Sequence, residues 1–169
     1  MMPANETEFV TTTAKKGMAE VKAAQLGVEK AEDPKVKELA QMLVTDHTAA
    51  NAQLKTVAGE LSIELSDDRD EKTQQKYKEL SALSGKEFDQ AFLAHMHKCH
   101  NKSIAFMEAG RKVSKSDGVI AFIEKTLPVI KGHTKMIGEL HVATPDEGAT
   151  AKPDTAPRGS QPQAGTERR

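Results

Sequence analysis

Apolar residues recur every three or four positions along most of the chain, which is the spacing of one face of an α-helix. An Asp33-Pro34 pair opens the clearest stretch, and proline is favoured at the first helical position because an N–H there would have no helical partner. The pattern predicts a long helix over 34–61 with one buried face. The positions on that face are Val36, Leu39, Ala40, Leu43, His47, Ala50, Leu54, Val57 and Leu61.

Helix-start signals place two more long helices. The segment NETE at 5–8 combines an asparagine N-cap with a glutamate three residues later, and it predicts a first helix over 5–32. The apolar positions of this helix are Phe9, Met18, Val21, Ala24 and Val28. The segment SGKE at 84–87 has the form of a capping box and predicts a third long helix over 84–113. Its core candidates are Phe88, Phe92, Met96, Cys99, Ile104, Phe106 and Met107.

Two further caps complete the set of helices. Asp68 followed by Glu71 predicts a short connecting helix over 68–83, between the second and third long helices. Asp117 predicts the N-cap of a fourth long helix over 118–142. The apolar positions of this last helix are Ile123, Leu127, Ile130 and Ile137.

Pro128 lies inside the apolar pattern of the fourth long helix. A proline in a helix interior removes one backbone hydrogen bond and clashes with the carbonyl four residues earlier, at a cost of about 3 kcal/mol or more. We therefore predict a kink at Pro128. The kink is either simply tolerated or serves to aim His133, about one turn later, into the bundle, and both readings can hold.

The composition supports an all-α fold. Aromatic residues make up 4% of the 169 residues and tryptophan is absent, while alanine and straight-chain residues, which lose little entropy in helices, dominate. Four long helices with a short connecting helix predict an antiparallel, ferritin-like four-helix bundle over 5–143. The segment 144–169 has no large apolar residue, so we expect a disordered tail.

Charge and hydropathy argue against several partners. Lys plus Arg number 24 and Asp plus Glu number 25, without the basic stripe that nucleic-acid binding requires. No apolar stretch approaches the roughly 20 residues of a membrane span. The start, MMPANETEF, lacks the charged and apolar regions of a signal peptide, and one cysteine cannot form an internal disulfide.

The histidines are the candidate functional residues. All six fall in the second, third and fourth long helices: His47, His95, His97, His100, His133 and His141. The first helix has no histidine, but Glu20 lies close to its inward face among small residues. The segments HTAANAQL at 47–54 and HTKMIGEL at 133–140 echo each other, so His47 would correspond to His133. By the same repeat, Glu20 would correspond to His100.

Four sequence blocks resemble a bacterial family catalogued as domain of unknown function 4142, a ferritin-like four-helix group. The blocks are GMAEV around Glu20, MLVTDHTAANAQL through His47, LSALSGKEFDQAFL entering the third long helix and KTLPVIKGH ending at His133. The resemblance covers Phe9 to about Leu140. It implies the bundle fold and an exported or periplasmic location. Family members usually carry Asp-His where this chain has Cys99-His100, so a neighbouring carboxylate is missing here.

One inward donor on each helix predicts an interhelical metal site of Glu20, His47, His100 and His133, since bundles build metal sites in this way. Imidazole and carboxylate donors suit zinc, iron or copper rather than calcium or magnesium. In the motif HKCH, His100 is the expected ligand because Met96 and Ile104 share its helix face. The predicted function is a metal-binding bundle protein related to stress or metal homeostasis.

Two other functions stay open. A di-iron oxidase needs Glu-x-x-His motifs, which this chain lacks, so we expect little ferroxidase activity. A structural or stress-associated interaction module of the cell envelope, without metal and compatible with a homo-oligomer, is the main alternative. In that case each histidine would be a core polar residue paired with a neighbour. The methionines and Cys99 are expected to fill the core first and to act as soft metal ligands second.

Overall fold

The computed structural model describes residues 2–66 and 70–143, and within these ranges it contains five α-helices and no strand. The helices are α1 (Glu6–Lys30), α2 (Pro34–Glu60), α3 (Glu71–Ser81), α4 (Gly85–Val113) and α5 (Asp117–Ala143). The predicted all-α bundle with a short connecting helix is confirmed. The expected tail over 144–169 lies outside the described residues.

The four long helices pack with antiparallel neighbours. Only three residues join α1 to α2, so these helices form a hairpin. The ring of Phe9, at the start of α1, lies against Gly110, at the end of α4, while Val57 at the end of α2 is close to Gly118 at the start of α5. Because α2 and α4 therefore run in the same direction, the connection that contains α3 has to return along the length of the bundle.

Local capping explains most of the helix starts. The Asn5 side chain accepts a hydrogen bond from the Glu8 backbone N–H at 2.9 Å, as predicted. The Glu8 carboxylate reaches back to the Ala4 N–H, one residue before the position a capping box uses. The Asp33 side chain accepts from the Lys35 N–H and caps α2, which starts with a proline at its first position.

Three predicted caps need correction. Asp70, not Asp68, caps α3 by accepting from the Thr73 N–H; Asp68 itself lies outside the described residues. Ser84 occupies the N-cap position of α4 but makes no side-chain capping bond there. Asp117 is the first residue of α5 rather than its cap. Asp70 directly precedes the first residue of α3, so its carboxylate reaches a free N–H group of the first turn.

The core consists of two apolar clusters, each with residues from all four long helices. The Phe92 cluster comprises Ala23, Ala24, Leu26, Ala31, Val36, Leu39, Ala40, Leu43, Leu80, Phe88, Phe92, Leu93, Met96 and Ile137. The Phe122 cluster comprises Phe9, Val10, Ala14, Leu54, Val57, Ala58, Phe106, Met107, Val119, Phe122, Ile123 and Ile130. The two clusters lie toward opposite ends of the bundle.

The buried face of α1 differs from the predicted one. Met18, Val21 and Val28 are only partly buried, and the buried positions between Ala14 and Gly27 are mostly alanine and glycine. Small residues allow close approach: a Cβ added at Gly27 would lie 2.7 Å from the Phe92 ring. The core candidates Cys99, Ile104 and Leu127 are likewise only partly buried.

α5 runs without interruption from Asp117 to Ala143, through the exposed Pro128. The helix tolerates this proline because water can satisfy the carbonyl that it leaves free on the exposed side. The kink itself stays a prediction. No helix in the described part of the chain is long and apolar enough to cross a membrane.

Candidate metal centre

A layer of polar side chains separates the two apolar clusters. Each long helix contributes one member: Glu20 from α1, His47 from α2, His100 from α4 and His133 from α5. No more than 8% of any of these residues is exposed. On every helix the polar residue lies between the positions that pack in the Phe122 cluster and those that pack in the Phe92 cluster. The sequence-predicted set therefore converges at one level of the bundle.

The three imidazoles form a nearly equilateral group. Their ring centroids are 5.3 Å apart for His47 and His100, 5.5 Å for His47 and His133, and 5.6 Å for His100 and His133. Each ring offers one nitrogen, and these three atoms lie within 4.8 Å of one another. A tetrahedral ion at the usual metal–nitrogen distance of 2.0–2.1 Å would place its ligand atoms about 3.3 Å apart. The group is thus close to the dimensions of a metal site.

A chain of contacts runs through the layer from α1 to α4. A Glu20 carboxyl oxygen is 3.1 Å from His47 Nδ1, and the Ser103 hydroxyl donates to the other oxygen at 3.3 Å. His47 Nε2 is 3.3 Å from His100 Nε2. His100 Nδ1 is 2.9 Å from the Met96 carbonyl oxygen, to which it must donate because a carbonyl only accepts.

This series of contacts needs one more proton than neutral histidines and an ionised glutamate would carry. Because His100 uses its hydrogen on Met96, its Nε2 is an acceptor, and His47 Nε2 must carry the proton between the two rings. His47 Nδ1 and Glu20 then need a further proton for their own contact. If that proton leaves, His47 donates from Nδ1 to the carboxylate, and two bare Nε2 atoms face each other. Only a cation between them would then stabilise the arrangement.

His133 is oriented by a carboxylate on the neighbouring helix. Its Nε2 donates to the Asp46 side chain at 2.8 Å, which leaves Nδ1 as the bare nitrogen. Nδ1 is buried, and it has no hydrogen-bond partner within the described part of the chain. A buried acceptor without a partner is uncommon in folded proteins, and a bound water or ion is one of its ordinary explanations.

Burial governs the ionisation of the layer. It lowers the pKa of both His47 and His100 to about 4, so both rings are neutral at pH 7. It also raises the pKa of Glu20, against the opposing effect of His100 and Ser103. An ion pair between Glu20 and His47 would shift both pKa values the other way. Burial outweighs that attraction here, so the extra proton resides on Glu20.

The remaining histidines lie outside this layer. His95 and His97 are half-buried on α4, and His141 is exposed near the end of α5. The His95 ring contacts the Cys99 sulfur, with Sγ to Nε2 at 3.6 Å. Burial raises the pKa of the Cys99 thiol to about 11, which disfavours the thiolate that metals and electrophiles require.

The partners that orient the rings were not among the residues predicted from the sequence. Asp46, which precedes His47, is the partner of His133, 87 positions further along the chain. Adjacent residues on a helix project about 100° apart, so Asp46 points toward α5 when His47 points inward. This spacing was the available signal. The roles of Ser103 and the Met96 carbonyl had no comparable signal in the sequence.

Two cavities adjoin the layer. One of about 30 Å³ lies beside Glu20 and His47, and Thr13, Lys16, Asn51 and Ser103 contribute to its polar wall. The other has about 160 Å³ and lies between α2 and α5. Its wall includes both His47 and His133, so it connects with the imidazole group. It is referred to below as the α2–α5 cavity.

Comparison with known proteins identifies the fold. A family model described as Domain of unknown function (DUF4142) matches residues 1–140. No curated protein sequence matches the chain significantly. Among solved structures, a DUF305 fragment from Deinococcus radiodurans aligns with a TM-score of 0.73 and 14% sequence identity, over 82% of this chain and 95% of that one.

CopM shares the same fold. Its Cu(II)-bound form aligns with a TM-score of 0.73 and 14% identity, over 84% of this chain and 99% of that one. Its Cu(I)-bound form aligns with a TM-score of 0.70 and 13% identity, over 82% and 96% of the two chains. These likenesses show an all-helical bundle, and they do not name a ferritin, so the ferritin-like label stays a prediction.

Proposed function

The chain belongs to the DUF4142 family, and we propose that it is a metal-binding protein whose centre holds one transition-metal ion through His47, His100 and His133. The observation that carries the proposal is the convergence of three buried ring nitrogens. In two of the rings the other nitrogen donates a hydrogen bond away from the centre. His100 donates to a carbonyl, and His133 donates to a carboxylate. Metal-ligating histidines are typically oriented in this way.

Glu20 has a supporting role in this proposal, rather than the ligand role that its position suggested. Its carboxyl group contacts His47 Nδ1, so it would hold the His47 ring and accept the Nδ1 hydrogen once metal is bound. As the ion takes His47 Nε2, the hydrogen on that nitrogen would be released and the Glu20 hydrogen would pass to Nδ1, so one proton would leave for each ion bound. Asp46 would likewise hold the His133 ring by accepting its Nε2 hydrogen.

The donor set restricts the metal to a few ions. Three neutral imidazoles suit copper, zinc or iron(II), and they are poor ligands for magnesium and calcium, which prefer oxygen. Solved structures of CopM contain Cu(II) or Cu(I), which makes copper the first ion to test here. We propose a role in binding and storing the ion in metal homeostasis. The four described members of the layer include a single carboxyl group, that of Glu20, whereas a di-iron centre uses several carboxylates to bridge its two irons.

The test is a titration of untagged protein with Cu(II) and Zn(II), followed by elemental analysis. We expect about one ion per chain, the number that a single three-nitrogen site accommodates. His47→Ala, His100→Ala and His133→Ala should each remove tight binding, while His95→Ala, His97→Ala and His141→Ala should retain it. Circular dichroism establishes that each variant is folded.

Two outcomes would contradict the proposal. Wild-type protein that binds neither ion would reject a copper or zinc centre. Loss of binding in His95→Ala and His97→Ala, with normal binding in His47→Ala and His133→Ala, would place the site on α4 alone and reject the interhelical centre.

A further inference from the structure

The α2–α5 cavity reaches two of the three imidazoles from one side of the bundle. His47 and His133 line it, whereas His100 is fully buried and does not. Its volume of about 160 Å³ is several times the roughly 15 Å³ that a single water requires on the same kind of measure. The cavity can therefore hold a ligand of several atoms beside the His47 and His133 side chains.

We propose that the α2–α5 cavity binds a small anion that coordinates the metal as an exogenous fourth ligand. The inference rests on the proposed three-histidine centre. Three protein ligands leave a fourth position of a tetrahedral ion open. Glu20 does not fill that position, because its carboxyl group is engaged by His47 and Ser103. In this proposal the open position lies on the side of His47 and His133 that borders the cavity.

The polar groups of the cavity favour an anion. Lys125 supplies a positive charge at the exposed rim, and the Thr126 hydroxyl and the Gln53 amide supply hydrogen-bond donors. Asp46 is the one carboxylate in the wall, and it accepts the hydrogen of His133. A cation bound to three neutral rings would add positive charge at the inner end. Both ends of the cavity then attract a small anion.

Azide is a suitable probe, because it is a small anion that coordinates Cu(II) with a new charge-transfer absorption. Ala49 lines the cavity and is exposed, so Ala49→Phe should obstruct the cavity without disturbing the core. Ala52→Phe is the matched control, because Ala52 is exposed on the same helix and lines neither cavity. Lys125→Glu tests the charge independently of shape.

The experiment first measures Cu(II) stoichiometry for each variant and then titrates the copper-loaded protein with azide. We expect normal copper binding throughout, about tenfold weaker azide binding in Ala49→Phe and Lys125→Glu, and an unchanged azide affinity in Ala52→Phe. Copper-loaded wild-type protein whose spectrum does not respond to azide would overturn the inference. So would equal azide affinity in Ala49→Phe and Ala52→Phe. Either result leaves the metal centre intact, whereas failure to bind copper at the first step would reject the centre itself.

Discussion

At the scale of single residues, the layer shows how four buried polar groups can be accommodated in an apolar bundle. Burying a carboxyl group and three imidazoles is costly unless their hydrogen-bonding atoms are paired. Glu20, His47 and His100 are connected by successive polar contacts, whereas His133 is paired only through Nε2. Because Nδ1 of His133 is buried without a partner, it retains a free-energy cost of desolvation. A bound ion would offset that cost.

The first prediction at this scale concerns pH. In the metal-free protein, His47 and His100 have pKa values of about 4 against 6.5 when exposed, so the unfolded chain takes up two protons first as the pH falls. The raised pKa of Glu20 acts in the opposite direction, because the folded state retains that proton while the unfolded chain has lost it. The two imidazoles outnumber this one carboxyl group, so the unfolded chain still binds more protons in this range. Stability should therefore decline as the pH falls from 6.5 to 4, with each proton of difference contributing about 1.4 kcal/mol per pH unit.

Urea unfolding in the presence of a chelator measures this slope. Glu20→Gln removes the opposing proton, so its stability should decline more steeply with acid than that of the wild type. His141→Ala is the control, because this exposed histidine contributes nothing to the layer. A wild-type stability that is flat from pH 6.5 to pH 4 would show that the two imidazoles are not held neutral.

At the scale of the elements, glycines decide how closely the helices approach. A Cβ added at Gly110 on α4 would lie 2.2 Å from Cδ2 of Phe9, so this glycine creates the space for the ring. Gly132 on α5 has nothing within 4 Å of the corresponding position. Both glycines are helical, Gly110 in the last turn of α4 and Gly132 in the interior of α5, and their surroundings differ. Helix propensity favours alanine at both positions, whereas packing opposes it at Gly110 alone.

The prediction is that the same substitution has opposite effects at these two glycines. Gly110→Ala should destabilise the bundle by about 1–3 kcal/mol, because Phe9 must move. Gly132→Ala should stabilise it by about 0.5–1 kcal/mol through helix propensity. Chemical unfolding of the two variants measures both values. Equal effects of the same sign would mean that α1 and α4 are not in close contact at Phe9.

At the scale of the whole molecule, the four long helices supply all but two of the buried members of the apolar clusters, Ala31 and Leu80. Both apolar clusters draw all their buried members from residues between Phe9 and Ile137. Each cluster includes residues from every long helix, so the two ends of the bundle support the polar layer from both sides. The candidate centre is therefore enclosed on both sides by apolar residues of all four long helices.

We accordingly predict that a chain ending at Ala143 folds as stably as the full chain. The segment 144–169 contains no large apolar residue that could add to either cluster. Thermal unfolding followed by circular dichroism should give midpoints within about 2 °C of each other. A shortened chain that melts several degrees lower would show that the segment packs against the bundle. Copper titration of both chains checks whether the centre is equally intact.

Much of this arrangement was predictable from the sequence because it depends on local rules. Helix positions follow from apolar spacing and from caps such as Asn5 and Asp33, whose hydrogen bonds reach only a few residues. The choice of His100 within the HKCH motif follows from its place on the apolar face, because residues four apart share one side of a helix. The family resemblance over the four blocks is confirmed by the match to residues 1–140.

The partners across helices were decided by the tertiary structure alone. Periodicity places Glu20 and His47 on inward faces, but the relative height and rotation of two packed helices determine that the carboxyl group contacts Nδ1 of the ring. The contact of Asp46 with His133 joins residues 87 positions apart and depends on which helix lies beside α2. The α2–α5 cavity is a gap between two surfaces, and its existence depends on how closely both helices pack. Sequence periodicity describes single helices, so these features could only be read from the assembled bundle.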